Sequence, residues 1–352
     1  MIAVLIILTS SRAVSLKNVS MDIAKAANRI GVDASWLDRP ILPYEARKKG
    51  YRVVIVMCAD PMTATNWFLL ARDLSKGGAP NIFYATVEGK INKKHVQPWM
   101  KDVRFIANSL YTAGKISEAG LNVLDVVYHG IDMEIVDSVV KDKSLGVEYM
   151  KKFGVDPDKH TVVLTVSNSH PRKGLSLYDK VISYIENRDP SIKFFVLTEE
   201  KGLNYFKKHS SMVISTDFGK LPRETVLALI ASAHVLAVPS LAEGFGLPVL
   251  EAMALGTPVV HAELPPLMEF STGFKVRVSE VVHYDVVKST LSGIIFEHHI
   301  YEPEEYAEVL LQVVDMVRNR REELESWRAK SREVAEMYDI HKLYPTLIKL
   351  VL

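Results

Sequence analysis

The chain has 352 residues, more than one ordinary domain needs and enough for two. It is 48% hydrophobic and 24% charged with a formal net charge of +1, the balance of a soluble globular protein, and it gives no general case for nucleic-acid binding. A single cysteine, Cys58, excludes an internal disulfide and fits a reducing, cytoplasmic compartment.

Residues 1–8 are apolar but too short for a membrane span, and they carry no basic leader or cleavage site, so they read as a first buried strand. Short apolar, β-branched runs then alternate with helical stretches, the pattern of α/β units around a parallel sheet. Strands are predicted at 2–8, 53–57, 82–86, 104–107 and 123–127, with helices at 14–30, 62–75 and 110–119. Cys58 lies in one of these apolar stretches and reads as a small core residue. The first part is mildly basic: residues 1–140 hold 17 Lys and Arg against 13 Asp and Glu. A polar, Lys- and Asp-rich stretch from 131 to 159 interrupts the alternation and reads as the interdomain connection.

The pattern restarts with strands at 162–166, 194–197, 212–215, 234–238 and 258–261, and charged helices run from 303 to 337. The fold class is therefore α/β with two successive Rossmann-like parallel-sheet domains facing a cleft. The expected domains are 1–150 and 151–337, with a terminal segment at 338–352. Ligands of such sheets bind at the carboxyl ends of the strands.

The most informative stretch is 239–258. Glu243 and Glu251 flank a glycine-containing turn that opens a helix, with Pro248 placed as its first residue and Gly256 as its stop. Gly244 and Gly246 let backbone N–H groups approach a ligand, and the helix start behind them suits a diphosphate. Two carboxylates around one anion site make sense for a ligand with both a diphosphate and hydroxyls, a nucleotide sugar. The same residues also fit a plain strand–loop–helix junction in which a glutamate stabilises the helix dipole.

A second cluster, Ser167-Asn168-Ser169-His170-Pro171-Arg172-Lys173-Gly174, also follows a strand and precedes a helix. Arg172 and Lys173 there can neutralise the charge that develops on a leaving diphosphate. An Arg-Lys pair also fits a solvated surface. No His, Cys and Asp set has metal-ligand spacing, and His298-His299 beside Glu297 reads as a solvated pair. There is no phosphate loop of the Walker type, no third glycine for a dinucleotide fingerprint and no Gly-x-Ser-x-Gly elbow.

Glu243-x7-Glu251, within Pro-Ser-x-x-Glu-Gly-Phe-Gly-Leu-Pro-x-x-Glu-Ala-Met-Ala-x-Gly-Thr-Pro-Val-Val, resembles the donor motif of the retaining GT-B glycosyltransferases of family 4. Tyr128-His129-Gly130-Ile131-Asp132, Ala107-Asn108-Ser109 and Gly293-Ile294-Ile295-Phe296 resemble further segments of that family. The resemblance implies a hexosyltransferase that needs no metal and no other cofactor, with a UDP or GDP sugar as donor. Glu243 would lie beside the donor sugar and Glu251 on the ribose. Gly244, Phe245, Gly246 and Leu247 would offer backbone groups to the sugar and diphosphate, and Lys173 and Arg172 would hold the diphosphate. It also implies that the last segment, from about 340 to 352, crosses back onto the first domain.

The chain departs from the family at three places. Asn168 stands where an arginine is usual. The first strand–helix loop reads Thr9-Ser10-Ser11-Arg12 in place of a glycine pair, which puts Ser10 and Ser11 on the acceptor side. Glu88, in Thr86-Val87-Glu88-Gly89, occupies the place of a histidine near the reacting sugar. It fits a hydrogen-bond acceptor or base in the cleft, and equally a surface-loop glutamate. His129, in place of the usual asparagine, fits either the cleft lining or a structural role.

The acceptor, whether glycan, lipid or protein, is not specified by the sequence. Basic residues at Arg47, Lys48, Lys49 and Arg52, and at Lys90, Lys93 and Lys94 near Trp99 and Met100, fit peripheral contact of the first domain with an anionic membrane surface, and also fit solvated loops. A nucleotide-sugar-binding partner with little transfer of its own is the alternative from another class.

Overall fold

The computed structural model describes residues 4–11, 13–207, 209–285 and 292–352. In the first part, β1 (Val4–Leu8), α1 (Val14–Arg29), β2 (Asp33–Leu37), α2 (Pro43–Lys49), β3 (Tyr51–Cys58), α3 (Thr65–Lys76), β4 (Asn81–Thr86), β5 (Gly89–Ile91), β6 (Phe105–Ala107), α4 (Leu110–Glu118) and β7 (Val123–Val126) follow in order. Six of these strands form a parallel sheet in the order β2-β1-β3-β4-β6-β7. Val53, Val54, Ile55 and Val56 of β3 are all fully buried, as a strand covered by helices on both faces requires.

The chain then forms α5 (Met133–Lys141), α6 (Ser144–Lys151), β8 (Thr161–Val166), α7 (Leu175–Arg188), β9 (Ile192–Leu197), β10 (Met212–Ser215), α8 (Arg223–Ser232), β11 (Val235–Val238), α9 (Leu247–Leu255), β12 (Val259–Ala262), α10 (Pro265–Met268) and β13 (Phe274–Val276). Its six strands make a second parallel sheet, ordered β10-β9-β8-β11-β12-β13. Met133, Val136, Tyr149 and Met150 are buried in the core of this second sheet. The polar stretch 131–159 thus folds as two amphipathic helices, and the chain has joined the second core by Ile131, ahead of the boundary expected at residue 150.

The remaining elements are β14 (Glu280–Asp285), β15 (Ile294–Ile300), α11 (Pro303–Asn319), α12 (Arg321–Met337) and α13 (Ile340–Lys349). Ile340, Tyr344, Leu347 and Ile348 of α13 are buried among Leu5, Ile7, Val54 and Val56 of the first sheet. The outgoing and returning crossings run side by side. Ile131 N–H donates to the Tyr338 carbonyl at 2.9 Å and Ile340 N–H to the Ile131 carbonyl at 3.1 Å.

A small antiparallel sheet, β14-β15-β5, joins the two domains a second time. Phe296 pairs with Gly89, where a Cβ would lie 2.4 Å from the Ile295 carbonyl oxygen. Ten predicted strands fall within two residues of β1, β3, β4, β6, β7, β8, β9, β10, β11 and β12. Residues 2 and 3 of the first lie outside the described residues. β2, β5, β13 and β14 were not predicted.

Candidate active site

The second sheet reverses its strand order between β8 and β11, and the loops after these two strands meet there, at the place where such sheets bind ligands. The loop after β8 holds a 3-10 turn, Pro171–Lys173, capped by His170, whose Nδ1 accepts from the Arg172 N–H. Gly174 ends the turn at φ +67°, and a Cβ there would lie 2.0 Å from the Pro239 carbonyl oxygen. Leu241 N–H donates to the Arg172 carbonyl at 2.7 Å, which fastens the loop after β11 to the turn. The close packing places Arg172 and Lys173 against Glu243.

Lys173 Nζ lies 2.5 Å from Glu243 Oε1. Arg172 Nη1 donates to the Ala242 carbonyl at 3.1 Å and lies 3.5 Å from Glu243 Oε2. From the first domain, Glu88 Oε1 reaches Arg172 Nη2 at 2.6 Å. Arg172 therefore bridges one carboxylate of its own domain and one of the other. The four groups form a cluster of two cations and two anions, with Arg172 and Glu243 both under 10% exposed.

Gly244 holds the two loops at contact distance. A Cβ there would stand 2.2 Å from Thr86 Oγ1 and 3.2 Å from Glu88 Cγ. Asn108 Nδ2 donates to the Gly244 carbonyl at 3.3 Å. The absent Cβ thus makes room for the first domain as well as for any ligand. Gly246, at φ +97°, precedes α9 in a conformation that favours glycine, and Gly256 ends that helix at φ +72°. Pro248 is the second helical residue, and Glu251 lies one turn in.

Burial pushes the Glu243 carboxyl up, but Lys173 and Arg172 together outweigh it and hold the group below its usual range. Burial, with Arg172 alongside, draws the Lys173 ammonium down. Burial and the same two cations hold His170 at about 4, so its imidazole is neutral. Glu251 is raised by burial, opposed by Arg223. Asp22 of α1 pairs with Arg223 at 2.6 Å, so the Glu251 end of the cleft also carries an ion pair between the domains.

The other predicted residues fall in several places. The Phe245 ring turns into the core, stacked on Phe270 at 4.9 Å, which leaves its backbone alone for a ligand. Leu247 is the first residue of α9. Ser10 is half-buried and Ser11 exposed after β1, while Arg12 lies outside the described residues. Asn168 accepts from His170 N–H and shapes the turn. His129 is buried, bonded through Nδ1 to the Tyr84 hydroxyl at 2.9 Å, and burial holds it at about 3; its role is structural. Met100 belongs to the first core and is not a surface residue.

The expectation of a solvated His298-His299 pair is corrected. The alternation of β15 turns His298 inward to 8% exposure, where it stacks on Tyr284 at 5.2 Å. Glu297 is engaged by Tyr111 at 3.0 Å and Lys115 at 2.8 Å, both from α4. Among the described residues one trio, Asp132, Glu134 and His341, brings ligand atoms within 4.8 Å of one another. Lys25 lies 2.5 Å from Asp132 and 2.8 Å from Glu134, which already neutralises those carboxylates. Among the described residues no helix is long and apolar enough to cross a membrane.

Sequence spacing pointed to Glu243, Glu251, Arg172 and Lys173 but missed the Ala242 carbonyl, Asn108, Asp22, Arg223 and the clamp of Tyr111 and Lys115 on Glu297. Each of these acts through a partner far along the chain.

Two parallel-sheet domains meeting at this cleft constitute the GT-B architecture, and solved structures share it. The protein superposes on Anabaena HepE in complex with UDP and glucose with a TM-score of 0.67, at 14% identity over 99% of both chains. Trehalose-6-phosphate synthase OtsA gives 0.63, at 11% identity over 96% of this chain and 82% of that one. The family model "Glycosyl transferases group 1" matches residues 148–333, and the chain belongs to that family: it is a glycosyltransferase.

Uncharacterized glycosyltransferase 335 of Sulfolobus islandicus rod-shaped virus 1 is 28% identical over 95% of this chain and 97% of its own. MMP alpha-(1->4)-mannosyltransferase of Mycolicibacterium hassiacum is 29% identical over 51% of this chain and 43% of its own.

Proposed function

We propose that the protein moves a hexose from a UDP or GDP sugar to an acceptor hydroxyl on a glycan, lipid or other molecule, with retention at the anomeric carbon and without a metal. The observation that carries this reading is the pair of cations, Arg172 and Lys173, held at the switch point against Glu243, with Glu251 one turn into α9. Arg172 and Lys173 take the diphosphate, Glu243 the donor sugar and Glu251 the ribose diol. The binding of UDP and glucose to the HepE structure agrees with a sugar nucleotide as donor.

In the reaction, the acceptor oxygen bonds to the anomeric carbon as the bond from that carbon to the diphosphate oxygen breaks. The hydroxyl proton passes to the leaving phosphate on the same face. Fixed cations stabilise the charge that grows on that phosphate, and they need no reorganisation as it develops. Glu88, at the first-domain wall, accepts a hydrogen bond from the acceptor hydroxyl and aims it.

Calorimetric titration with UDP, GDP and ADP in EDTA tests the donor site. Binding of one nucleotide that is unchanged on adding Mg2+ is expected. Binding of none in EDTA, or binding only with metal, would overturn the reading. Binding without turnover across a panel of sugar nucleotides and acceptors would favour a nucleotide-sugar-binding partner.

A further inference from the structure

We infer that Glu88 is a built-in counter-ion for Arg172 that the donor diphosphate displaces, so that donor binding frees Glu88 to receive the acceptor and fixes the order of binding. This deepens the donor-site reading above and rests on it. Arg172 is pinned along one edge by its own domain, through the Ala242 carbonyl at 3.1 Å and Glu243 at 3.5 Å. Its other edge, at Nη2, faces Glu88 of the first domain at 2.6 Å. A phosphate oxygen is the same kind of charge-assisted acceptor as a carboxylate oxygen and suits the same guanidinium edge.

Charge makes the exchange necessary. With Lys173 held by Glu243 and Arg172 by Glu88, the cluster carries no net positive charge for an incoming diphosphate. Two anions a few ångströms apart in a poorly solvated cleft repel strongly, so phosphate and Glu88 compete for Arg172. The backbone around Glu88 is fixed. Val87 is buried, and Gly89 is paired with Phe296 in the small interdomain sheet. Release is therefore a side-chain rotation. The Glu88 side chain is 25% exposed against 11% for Arg172, so the carboxylate has an open side to turn toward. Freed from Arg172, it becomes an acceptor for a sugar or acceptor hydroxyl. Glu88 is thus a positioning residue for the acceptor, inactive until the donor arrives.

The test is titration of UDP into wild type, Glu88→Gln, Arg172→Ala and the double variant, with GDP in its place should that be the nucleotide wild type binds. Removing the competitor should tighten nucleotide binding in Glu88→Gln by about tenfold, the size of one charge-assisted hydrogen bond. The gain should vanish in the Arg172→Ala background. Turnover of Glu88→Gln should show a raised acceptor KM, with donor KM lowered.

Unchanged or weaker binding in Glu88→Gln, or a gain that persists without Arg172, overturns the inference. Should Arg172→Ala not fold, Arg172→Lys serves, because one ammonium cannot span both the Ala242 carbonyl and Glu88. Failure of the donor-site reading looks different: no variant and no wild type would bind any nucleoside diphosphate.

Discussion

Asp22 on α1 and Arg223 on α8 meet at 2.6 Å across the domain boundary, their side chains 6% and 16% exposed. Burial pushes the Asp22 carboxyl up to about 6, although Arg223 opposes the shift. Desolvation here exceeds the Coulombic gain, as it often does for a buried pair.

The sign of the resulting pH dependence follows. Asp22 binds its proton more tightly folded, near 6, than unfolded, near 3.8, so its contribution is full below pH 4 and lost as pH rises through 6. Asp22→Asn keeps an acceptor for Arg223 and does not titrate. Between pH 4 and pH 7, wild type should lose about 2 kcal/mol relative to Asp22→Asn. Urea denaturation of both proteins across that range reads the difference. A difference that stays flat would remove Asp22 as the titrating group.

Glu251 makes no side-chain hydrogen bond to a described residue, and burial keeps its carboxyl above the usual range. A ribose diol would offer two donors to this half-buried carboxylate. Glu251→Ala should weaken UDP binding by about tenfold to a hundredfold, from hydrogen bonds to a charged group worth roughly 1.5 to 3 kcal/mol. Inorganic diphosphate, which has no ribose, should bind wild type and variant alike. Equal losses for both ligands would move Glu251 from the sugar end of the nucleotide to the phosphate end.

The central strands were readable because parallel strands covered on both faces appear as continuous apolar runs, such as 53–56 and 162–164. β2, an edge strand reading Asp-Ala-Ser-Trp-Leu, has no such run. β5 and β14 exist by pairing with β15, and no local pattern announces that Gly89 will meet Phe296. His298 and His299 looked like a polar pair, yet the strand turns one inward and leaves the other half-buried beside the loop after β11.

The donor residues were legible because each sits in one strand–loop–helix unit whose glycines and prolines mark its turns. The Glu88–Arg172 and Asp22–Arg223 pairs were not legible as contacts. Each joins one domain to the other, and only the relative placement of the two sheets brings them together.

Glu243 has two cations on it, Lys173 at 2.5 Å and Arg172 at 3.5 Å, and they hold it ionised. Glu243→Gln keeps the size and one acceptor atom but removes the charge. Lys173 is then released toward a diphosphate, while Arg172 still has Glu88. Turnover should fall by about a hundredfold or more, the loss typical of removing one preorganised polar group. UDP affinity should be kept or improved. Measurement of kcat beside calorimetric Kd separates the two effects. A parallel collapse of both would place Glu243 on the nucleotide instead of the sugar.

Gly244 is constrained by space. Its φ is not in the left-handed region, but a Cβ would meet Thr86 Oγ1 at 2.2 Å, Glu88 Cγ at 3.2 Å and the Val87 carbonyl at 3.4 Å. Thr86 is 8% exposed and has little room to turn away. Gly244→Ala should therefore push the two domain loops apart and destabilise the protein by about 1 to 3 kcal/mol, the range for overpacking. Thr86→Ala takes away the tightest of the three contacts and leaves the Glu88 side chain, which is flexible, to give by a few tenths of an ångström. In the double variant, part of the loss should return, with a coupling of about 1 kcal/mol in a double-mutant cycle read by urea denaturation. If the Gly244→Ala penalty is the same with and without Thr86, the two loops are not packed against each other in solution, and the bridge through Arg172 cannot form there.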